Sequence, residues 1–336
     1  VSEDAQVAAL LESAAPVVTL VAKSDVRHVE QALRTTREEN LAMVADTVEY
    51  LVDNGRRVFV DCEHFFDGYL ADPHYGVAVL EAAAGAGADV GVLCDTNGGM
   101  LPMQLARIVT EVQTRTSIRL GIHCQDDTAC AVANTLAAVE AGIAHVQCTA
   151  NGYGERAGNA DLFAVVAGLE QKMQRTVLPS GCLKETVRVS HAIAEIANIS
   201  PDTHQAYVGS SAFAHKAGLH ASAIKVNPDL YNHMEPGVVG NDMRILVTEM
   251  AGRASVELKS RELGLDLTGR PEAVNAIVAA VKEKEAQGWS FEAADASFEL
   301  LVRDEMNATA GKPTPTLFNL ESYRVLVEHD TDANVV

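Results

Sequence analysis

The sequence is short of several features, and each absence excludes a class of protein. No apolar run in the 336 residues approaches the roughly 20 that a membrane-spanning helix needs, so we expect no membrane association. Positive charge is scarce, since 26 Lys and Arg stand against 46 Asp and Glu, a formal net charge of −20. A phosphate backbone requires a concentrated basic surface, which argues against a nucleic-acid partner. The acid excess favours a cytoplasmic protein that its charge keeps in solution.

Cysteine is present, but never as a C-x-x-C pair, and this spacing is a poor fit to a zinc–thiolate site. Four of the six cysteines fall in or beside apolar, strand-like runs, so we predict buried free thiols in a reducing compartment. The six are Cys62, Cys94, Cys124, Cys130, Cys148 and Cys182. The amino terminus, Val1-Ser-Glu-Asp4, has no basic segment and no initiator Met. We therefore expect no signal peptide, and a chain that begins inside a longer protein.

Short apolar runs alternate with helix-like segments through the first half of the chain. Runs that are apolar almost throughout indicate parallel strands that are covered on both faces. Glycine-containing segments typical of helix ends precede the later strands. The predicted strands are Val17–Ala22, Val58–Cys62, Val90–Cys94, Ile118–Ile122 and Ala144–Ala150. The predicted helices between them are Arg37–Asn54, Pro73–Gly87, Leu101–Arg115 and Thr128–Gly142. The alternation predicts an α/β fold with a parallel sheet.

Two observations favour a barrel over an open, doubly wound sheet. No G-x-G-x-x-G motif follows a strand at a helix start, which disfavours a dinucleotide-binding fold. Polar residues end nearly every predicted strand, whereas an open sheet concentrates them at one switch point. Five strands do not close a barrel of eight, so either three are absent or the barrel assignment is wrong.

The alternation stops after about residue 176, and the rest of the chain predicts helices and an unfinished module. Further helices are predicted at Leu183–Asn198, Ala254–Leu265, Arg270–Ala286 and Ala293–Asp304, and a strand at Leu317–Val327. We predict a partial barrel over residues 1–180, a helical linker or lid region over 181–288, and the start of a C-terminal α/β domain over 289–336.

The polar clusters after the last two strands are the strongest candidates for chemistry. His123 and Gln125 project to one side of a strand end, because residues two apart share a face, and Asn151 follows the next strand. Imidazole and amide oxygens suit Mg²⁺, Mn²⁺ or Zn²⁺. A functional site would also need a carboxylate, which Asp126 or Asp127 could supply. The alternative is a core histidine with acids that cap the following helix.

Two other strand ends carry polar residues with a simpler alternative use. Thr96 and Asn97, beside two glycines, could bind a small carboxylate, although a βα turn is the favoured reading of that segment. Glu63 and His64 could serve in proton transfer, with neighbouring aromatics either walling a pocket or packing on the rim.

Two remaining segments favour ordinary structural roles. The loop Ala214–Ala221 holds two histidines, which are more often merely solvated. The segment Arg34–Glu39 is typical of a capped, solvent-exposed helix start.

Taken together, these motifs resemble one family, the 2-isopropylmalate, homocitrate and citramalate synthases of the DRE-TIM metallolyase superfamily. The match lies in Gly121-Ile-His-Cys-Gln-Asp-Asp127, Asn151-Gly-Tyr-Gly-Glu-Arg-Ala-Gly-Asn159 and Phe213-Ala-His-Lys-Ala-Gly-Leu-His220. Gln31-Ala-Leu-Arg-Thr-Thr36, Glu63-His-Phe-Phe-Asp-Gly-Tyr69 and Cys94-Asp-Thr-Asn-Gly-Gly99 look most like the citramalate synthase branch.

The resemblance implies a (β/α)₈ TIM barrel, of which this chain shows strands four to eight, and the start of a regulatory domain. It implies an acyltransferase that condenses acetyl-CoA with pyruvate to give citramalate and CoA, by a metal-assisted condensation followed by thioester hydrolysis. A cytoplasmic homodimer in isoleucine (branched-chain amino acid) biosynthesis is also implied. Alternatives are an isopropylmalate or homocitrate synthase, a lyase of the same superfamily, or a metal-less barrel that senses an acid or amino acid.

The resemblance also assigns roles to individual positions. His123, Gln125 and Asn151 fall at metal-ligand positions, and Thr96 where the family contacts the 2-oxo acid, with Asn97 and His64 beside it. Glu63 falls at a catalytic carboxylate position. His220 and Tyr231 match catalytic residues that reach the active site of the partner subunit.

The sequence departs from the family pattern in two places. The family motif is His-x-His, and Gln125 replaces the second His with a harder oxygen ligand, which favours Mg²⁺ or Mn²⁺. The family's first strand, with its Arg-Asp pair, has no counterpart here. We therefore expect this chain alone to be inactive and its full-length parent to be a synthase.

Overall fold

The computed structural model describes residues 1–216, 218–224, 226–248, 251–292, 294–313, 321–322 and 324. The strand predicted at Leu317–Val327 lies almost wholly outside the described residues. The chain forms two compact units, one from Val1–Phe213 with Met234–Asp242, the other from Ala214–His233 with the described residues from Met243 on.

The first unit is built on a five-stranded parallel sheet in which neighbours in sequence are neighbours in space. Its strands are β1 (Val17–Lys23), β2 (Arg57–Glu63), β3 (Val90–Asp95), β4 (Arg119–Cys124) and β5 (His145–Gln147). The order β1-β2-β3-β4-β5 is that of a barrel arc, since an open doubly wound sheet reverses its order at a switch point. The predicted α/β class is therefore confirmed.

Helices between the strands of the first unit pack on one face of its sheet, and further helices precede the first strand or follow the last. They are α1 (Ala5–Glu12), α2 (Arg37–Asp53), α3 (Phe65–Ala71), α4 (Pro73–Gly85), α5 (Pro102–Gln113), α6 (Ala131–Glu140), α7 (Leu162–Gln171) and α8 (Thr186–Ile196), with a π-helix at His28–Leu33 and 3-10 turns at Ala150–Gly152, Leu183–Glu185 and Pro236–Val239. The Thr36 hydroxyl accepts a hydrogen bond from the Glu39 amide, so the predicted capped helix start is confirmed.

Strand parity separates two faces of the sheet, which we call the outer and the inner face. On β2, the side chains of Val58, Val60 and Cys62 are fully buried in the core formed with the helices. Phe59, Asp61 and Glu63 alternate with them and therefore project to the inner face. The outer face thus holds the hydrophobic core and the inner face holds most of the polar residues.

Apolar packing on the inner face is limited to a small cluster around β3. Val90, Val92 and Cys94 are buried there and contact Phe59. Val21, on β1, is 60% exposed on the same face. Gly121 lets the strands approach closely, since a Cβ there would come within 2.9 Å of the His145 ring.

The second unit is mostly helical. It contains α9 (Gly218–Ile224), α10 (Arg253–Glu262), α11 (Pro271–Ala286) and α12 (Asp295–Thr309), a 3-10 turn at Pro228–Leu230, and the short parallel strands β6 (Ala214–His215) and β7 (Arg244–Ile245). Its core is formed by α10, α11 and α12, with Phe298 and Ile277 fully or almost fully buried. None of the described helices is both long and apolar enough to cross a membrane.

Three features differ from the sequence-based predictions. Helix α3 occupies a segment for which no helix was predicted, and its Phe65, Phe66 and Tyr69 side chains pack into the outer-face core. The sequence had left open whether these aromatics wall a pocket or pack on the rim. The last strand is shorter than predicted because the chain turns into a 3-10 helix at Ala150. Cys182 is exposed and Cys130 and Cys148 are only partly buried, so the expectation of buried thiols is confirmed for Cys62, Cys94 and Cys124 alone.

Candidate active site at the carboxyl ends of the strands

The inner face carries a row of polar side chains near the carboxyl ends of the strands. Lys23 and Glu63 are register partners on β1 and β2, and their side chains form an ion pair. Burial lowers the pKa of Lys23. Glu63, the predicted catalytic carboxylate, is therefore already held by a cation that the sequence analysis did not single out. Alternate residues of a strand share a face, so counting along β1 in steps of two would have placed Lys23 on the inner face.

Three further side chains form a hydrogen-bonded chain across the inner face. The Gln147 amide nitrogen donates to Asp61 Oδ1 at 2.8 Å, and His123 Nδ1 lies 2.9 Å from Gln147 Oε1. Burial raises the pKa of Asp61, an effect that the hydrogen bond from Gln147 opposes. His123 is thus partly buried with one ring nitrogen engaged, and its role as a metal ligand stays a prediction.

Gln125 lies opposite Asn159, a residue that the sequence analysis did not select. The two form an isolated antiparallel pair, flanked by hydrogen bonds from Asp126 N to Gly158 O (2.9 Å) and from Ala160 N to Cys124 O (3.0 Å). Residues directly opposite in such a pair bring their side chains together. Gln125 Oε1 and Asn159 Oδ1 are both buried with no hydrogen-bond donor among the described residues. An unpaired buried oxygen costs roughly 1–3 kcal/mol, so the pair is suited to an added cation or donor.

The Asn151 side chain is engaged elsewhere. Its Oδ1 accepts hydrogen bonds from Ser190 Oγ (2.6 Å) and Gln205 Nε2 (3.2 Å), and its Nδ2 donates to Ser190 O and to Tyr153 OH. Its role as a ligand stays a prediction, and it would require these bonds to be exchanged.

The two carboxylates considered as additional ligands are also engaged. Asp126 Oδ1 accepts a hydrogen bond from Ala131 N at 2.8 Å, at the start of α6. Asp127 forms an ion pair with Arg156, whose guanidinium holds the pKa of that carboxyl below its usual range. Asp126 thus contacts the first residue of the helix, although the N-cap residue of α6 is Cys130.

The predicted substrate-binding residues surround the end of β2. The His64 amide donates to Thr96 Oγ1 at 2.8 Å, and the His64 ring stacks on His28 with centroids 3.8 Å apart. His64 adopts a left-handed conformation with φ of 59°, and burial lowers its pKa. Asn97 Nδ2 donates to Asp67 Oδ2 at 2.5 Å. The structure thus brings His64 and Thr96 into direct contact, and Asn97 follows in the same turn.

His220 and Tyr231 belong to the second unit. Their rings stack with centroids 4.1 Å apart, and His215 lies 6.0 Å from His220. His215 Nε2 is 3.0 Å from Asn232 Oδ1. The two histidines of this loop are therefore part of one aromatic cluster and not merely solvated.

The inner face has imidazole and amide donors but few free carboxylates. Within the described ranges, no three His, Cys, Asp or Glu side chains lie close enough together to hold a metal ion. A cation at this edge of the sheet would therefore depend on His123 together with amide oxygens. Such a donor set is harder than the thiolate-rich sites that select Zn²⁺.

Comparisons with known proteins agree with this architecture. The HMGL-like family model matches residues 1–197, and the homocitrate synthase post-HMGL domain-like model matches residues 207–288. A crystal structure of the Bacillus subtilis HMG-CoA lyase superposes with a TM-score of 0.51 at 18% sequence identity, over 57% of this chain and 67% of that one. At that identity the likeness concerns the fold alone.

Curated relatives are much closer in sequence. The (R)-citramalate synthase of Streptomyces coelicolor is 64% identical over 99% of this chain and 62% of that protein. The (R)-citramalate synthase of Aquifex aeolicus is 43% identical, again over 99% of this chain and 62% of that protein. The chain therefore spans about three fifths of the length of these relatives.

Proposed function

The chain belongs to the HMGL-like family, and from this premise we propose that it forms part of an acyltransferase that condenses acetyl-CoA with pyruvate. The products are citramalate and free CoA. The observation that carries the proposal is the polar inner face, where His123 and the unpaired amide oxygens of Gln125 and Asn159 end β4 and follow β5. The high identity to two (R)-citramalate synthases supports pyruvate as the 2-oxo acid.

A divalent cation fits these residues. Among the described residues no hydrogen bond engages His123 Nε2, and the Gln125 and Asn159 oxygens lack donors. We propose that these three groups hold the cation. Asn151, the ligand that the resemblance implies, would join them only if it exchanged its present hydrogen bonds. The neutral amide oxygens favour Mg²⁺ or Mn²⁺ over Zn²⁺. When bound, the cation supplies Lewis-acid polarisation of the 2-oxo acid's carbonyl oxygen.

The remaining predicted site residues are proposed to bind substrate and to move protons. Glu63 is the carboxylate proposed for proton transfer, and Lys23 is its ion-pair partner. Thr96 and Asn97, with His64, orient the 2-oxo acid. His220 and Tyr231 act on the active site of the partner subunit in a homodimer.

The setting of the reaction follows from the same resemblance. We propose a cytoplasmic enzyme of isoleucine biosynthesis. We also propose that the 336-residue chain alone is inactive, since the Arg-Asp pair of the family pattern has no counterpart in it.

The test compares the complete gene product with the 336-residue chain. Each is supplied with acetyl-CoA, Mn²⁺ and one 2-oxo acid (pyruvate, 2-oxoisovalerate or 2-oxoglutarate), and the free thiol of CoA is measured. We expect pyruvate-dependent release by the complete product only. Release with one of the other two acids would replace citramalate synthesis by isopropylmalate or homocitrate synthesis. Release by the 336-residue chain would refute its predicted inactivity.

A second measurement addresses the alternative of a metal-less sensor. Mn²⁺ is titrated into the complete gene product by calorimetry, with and without pyruvate. We expect binding that pyruvate strengthens, because the keto and carboxylate oxygens add ligands. A folded protein that binds no Mn²⁺ would contradict the proposed metal centre.

A further inference from the structure

The hydrogen-bonded chain across the inner face has a feature that the proposed activity does not by itself assign. Gln147 stands between a carboxylate and an imidazole, at 2.8 Å from Asp61 Oδ1 and 2.9 Å from His123 Nδ1. We infer that Asp61 and Gln147 are positioning residues that fix the tautomer of His123, with the proton on Nδ1 and the lone pair on Nε2.

The direction of each hydrogen bond follows from the chemistry of the three groups. An ionised carboxylate only accepts, so the Gln147 amide nitrogen must face Asp61. The carbonyl oxygen of the same amide then faces His123, and this oxygen too can only accept. The proton between Gln147 and His123 therefore resides on Nδ1. A neutral imidazole carries one proton, so Nε2 keeps its lone pair.

The curvature of the sheet makes this contact possible. Gln147 is the register partner of His123 on the adjacent strand, but Asp61 lies three strands away from it, on β2. With strands about 4.8 Å apart, that separation is roughly 14 Å along the sheet, beyond the reach of the two side chains on a flat surface. The Asp61–Gln147 hydrogen bond therefore spans the concave inner face. Because Gln147 also contacts His123, the orientation of the His123 ring depends on how strongly the sheet is curved.

The fixed tautomer matters for any ligand of His123. Ligand histidines usually donate their other ring N–H to an oxygen, which orients the ring and raises its basicity, and losing that partner typically weakens metal binding about 10- to 100-fold. The consequence for metal binding rests on the proposed function. The tautomer itself is a property of the metal-free chain and can be measured without activity.

The test is a long-range ¹H–¹⁵N spectrum of the metal-free 336-residue chain with ring-¹⁵N-labelled histidine, recorded at a pH where imidazoles are neutral. The His123→Asn variant assigns the signals. We expect the Nδ1–H form in the parent chain and a mixture of both tautomers in Gln147→Leu and in Asp61→Asn. Asp89→Asn is the matched control, since Asp89 lies at the opposite end of the strands with Arg57 and Arg119, and it should leave the spectrum unchanged.

A second variant protects the test against loss of folding. Gln147→Glu keeps an acceptor toward Nδ1, so we expect it to retain the Nδ1–H form that Gln147→Leu loses. An Nε2–H tautomer in the parent chain, or an unchanged Nδ1–H form in a folded Gln147→Leu chain, would overturn the inference.

Mn²⁺ affinity of the complete gene product provides the second readout. We expect Gln147→Leu to raise the Kd for Mn²⁺ about 10- to 100-fold, and Asp89→Asn to leave it unchanged. If the tautomer behaves as expected but the parent protein binds no Mn²⁺, the proposed metal centre fails while the positioning role stands. If Mn²⁺ binds and the tautomer does not depend on Gln147, the positioning role fails while the proposed metal centre stands.

Discussion

The two faces of the five-stranded sheet are built from the same strands but serve different ends. On the outer face, Val60, Leu93 and Ile122 are fully buried under the helices. On the inner face, Asp61, His123 and Gln147 keep polar contacts and remain partly accessible. Neighbouring residues of one strand thus have different roles, since one stabilises the core and the next is a candidate site residue. Substitutions on the inner face should therefore alter the site with little effect on folding, and substitutions on the outer face should alter folding with little direct effect on the site.

The largest expected effect is on the outer face. Replacing Leu93, which is completely buried, by Ala should lower the free energy of unfolding by about 2–5 kcal/mol, because transfer and cavity terms add. Urea unfolding of the chain measures this loss. Val21→Ala is the inner-face control, and since its side chain is 60% exposed the change should stay within about 0.5 kcal/mol. Equal losses in the two variants would contradict the division of roles.

A smaller effect is expected from restoring an imidazole on the inner face. Gln125→His places a second nitrogen ligand two residues from His123, and we expect the Kd for Zn²⁺ to fall at least about tenfold, roughly 1.4 kcal/mol. Calorimetric titration measures the affinity. Gln287→His, at an exposed position in the second unit, controls for adventitious binding by an added histidine. An unchanged Kd would indicate that Gln125 does not face the His123 site.

The smallest expected effect is a pH dependence carried by Asp95, which continues the outer-face parity of Leu93. Burial raises the pKa of this carboxyl from 3.8 to about 6, against hydrogen bonds from Met100 and Gly99. The unfolded chain releases the proton at lower pH, so stability is fully present below pH 4 and is lost as pH rises through 6. Between pH 5 and 7.5 we expect a loss of about 1 kcal/mol by urea unfolding, which Asp95→Asn should abolish. A loss of the same size in the variant would assign it to other groups.

The sequence was sufficient to predict the five strands and one long helix between each consecutive pair, because apolar runs of strand length alternate with helix-like segments. It did not predict the short helices at His28–Leu33 and Phe65–Ala71. The side of the strand on which each polar residue lies was harder to predict. Asp61 lies within the predicted strand Val58–Cys62, but its side chain was not selected as a site residue, although two-residue parity places it on the inner face with Glu63. Parity counted backward from each strand end would have identified it.

Other parts of the site depend on contacts that are distant in sequence. Asn151 and Asn159 are equivalent amides in one glycine-rich loop, and pattern alone selected the first. Their difference arises because Ser190 and Gln205, 39 and 54 residues further on, donate to the Asn151 oxygen. The pairing of Asn159 with Gln125 leaves its own oxygen without a donor among the residues described. No local signal carries that information.

The reactivity of the cysteines on the central strands reports how often the sheet opens to solvent. Cys62 and Cys124 lie on the outer face and Cys94 on the inner face, with exposures of 0%, 1% and 5%. Burial raises the pKa of all three thiols, so the reactive thiolate forms only where the strand is opened to solvent. Cys182 is exposed and reacts without such an event. The rate at which an alkylating reagent modifies each strand thiol therefore measures how often its own face becomes accessible, and compares the two faces within one molecule.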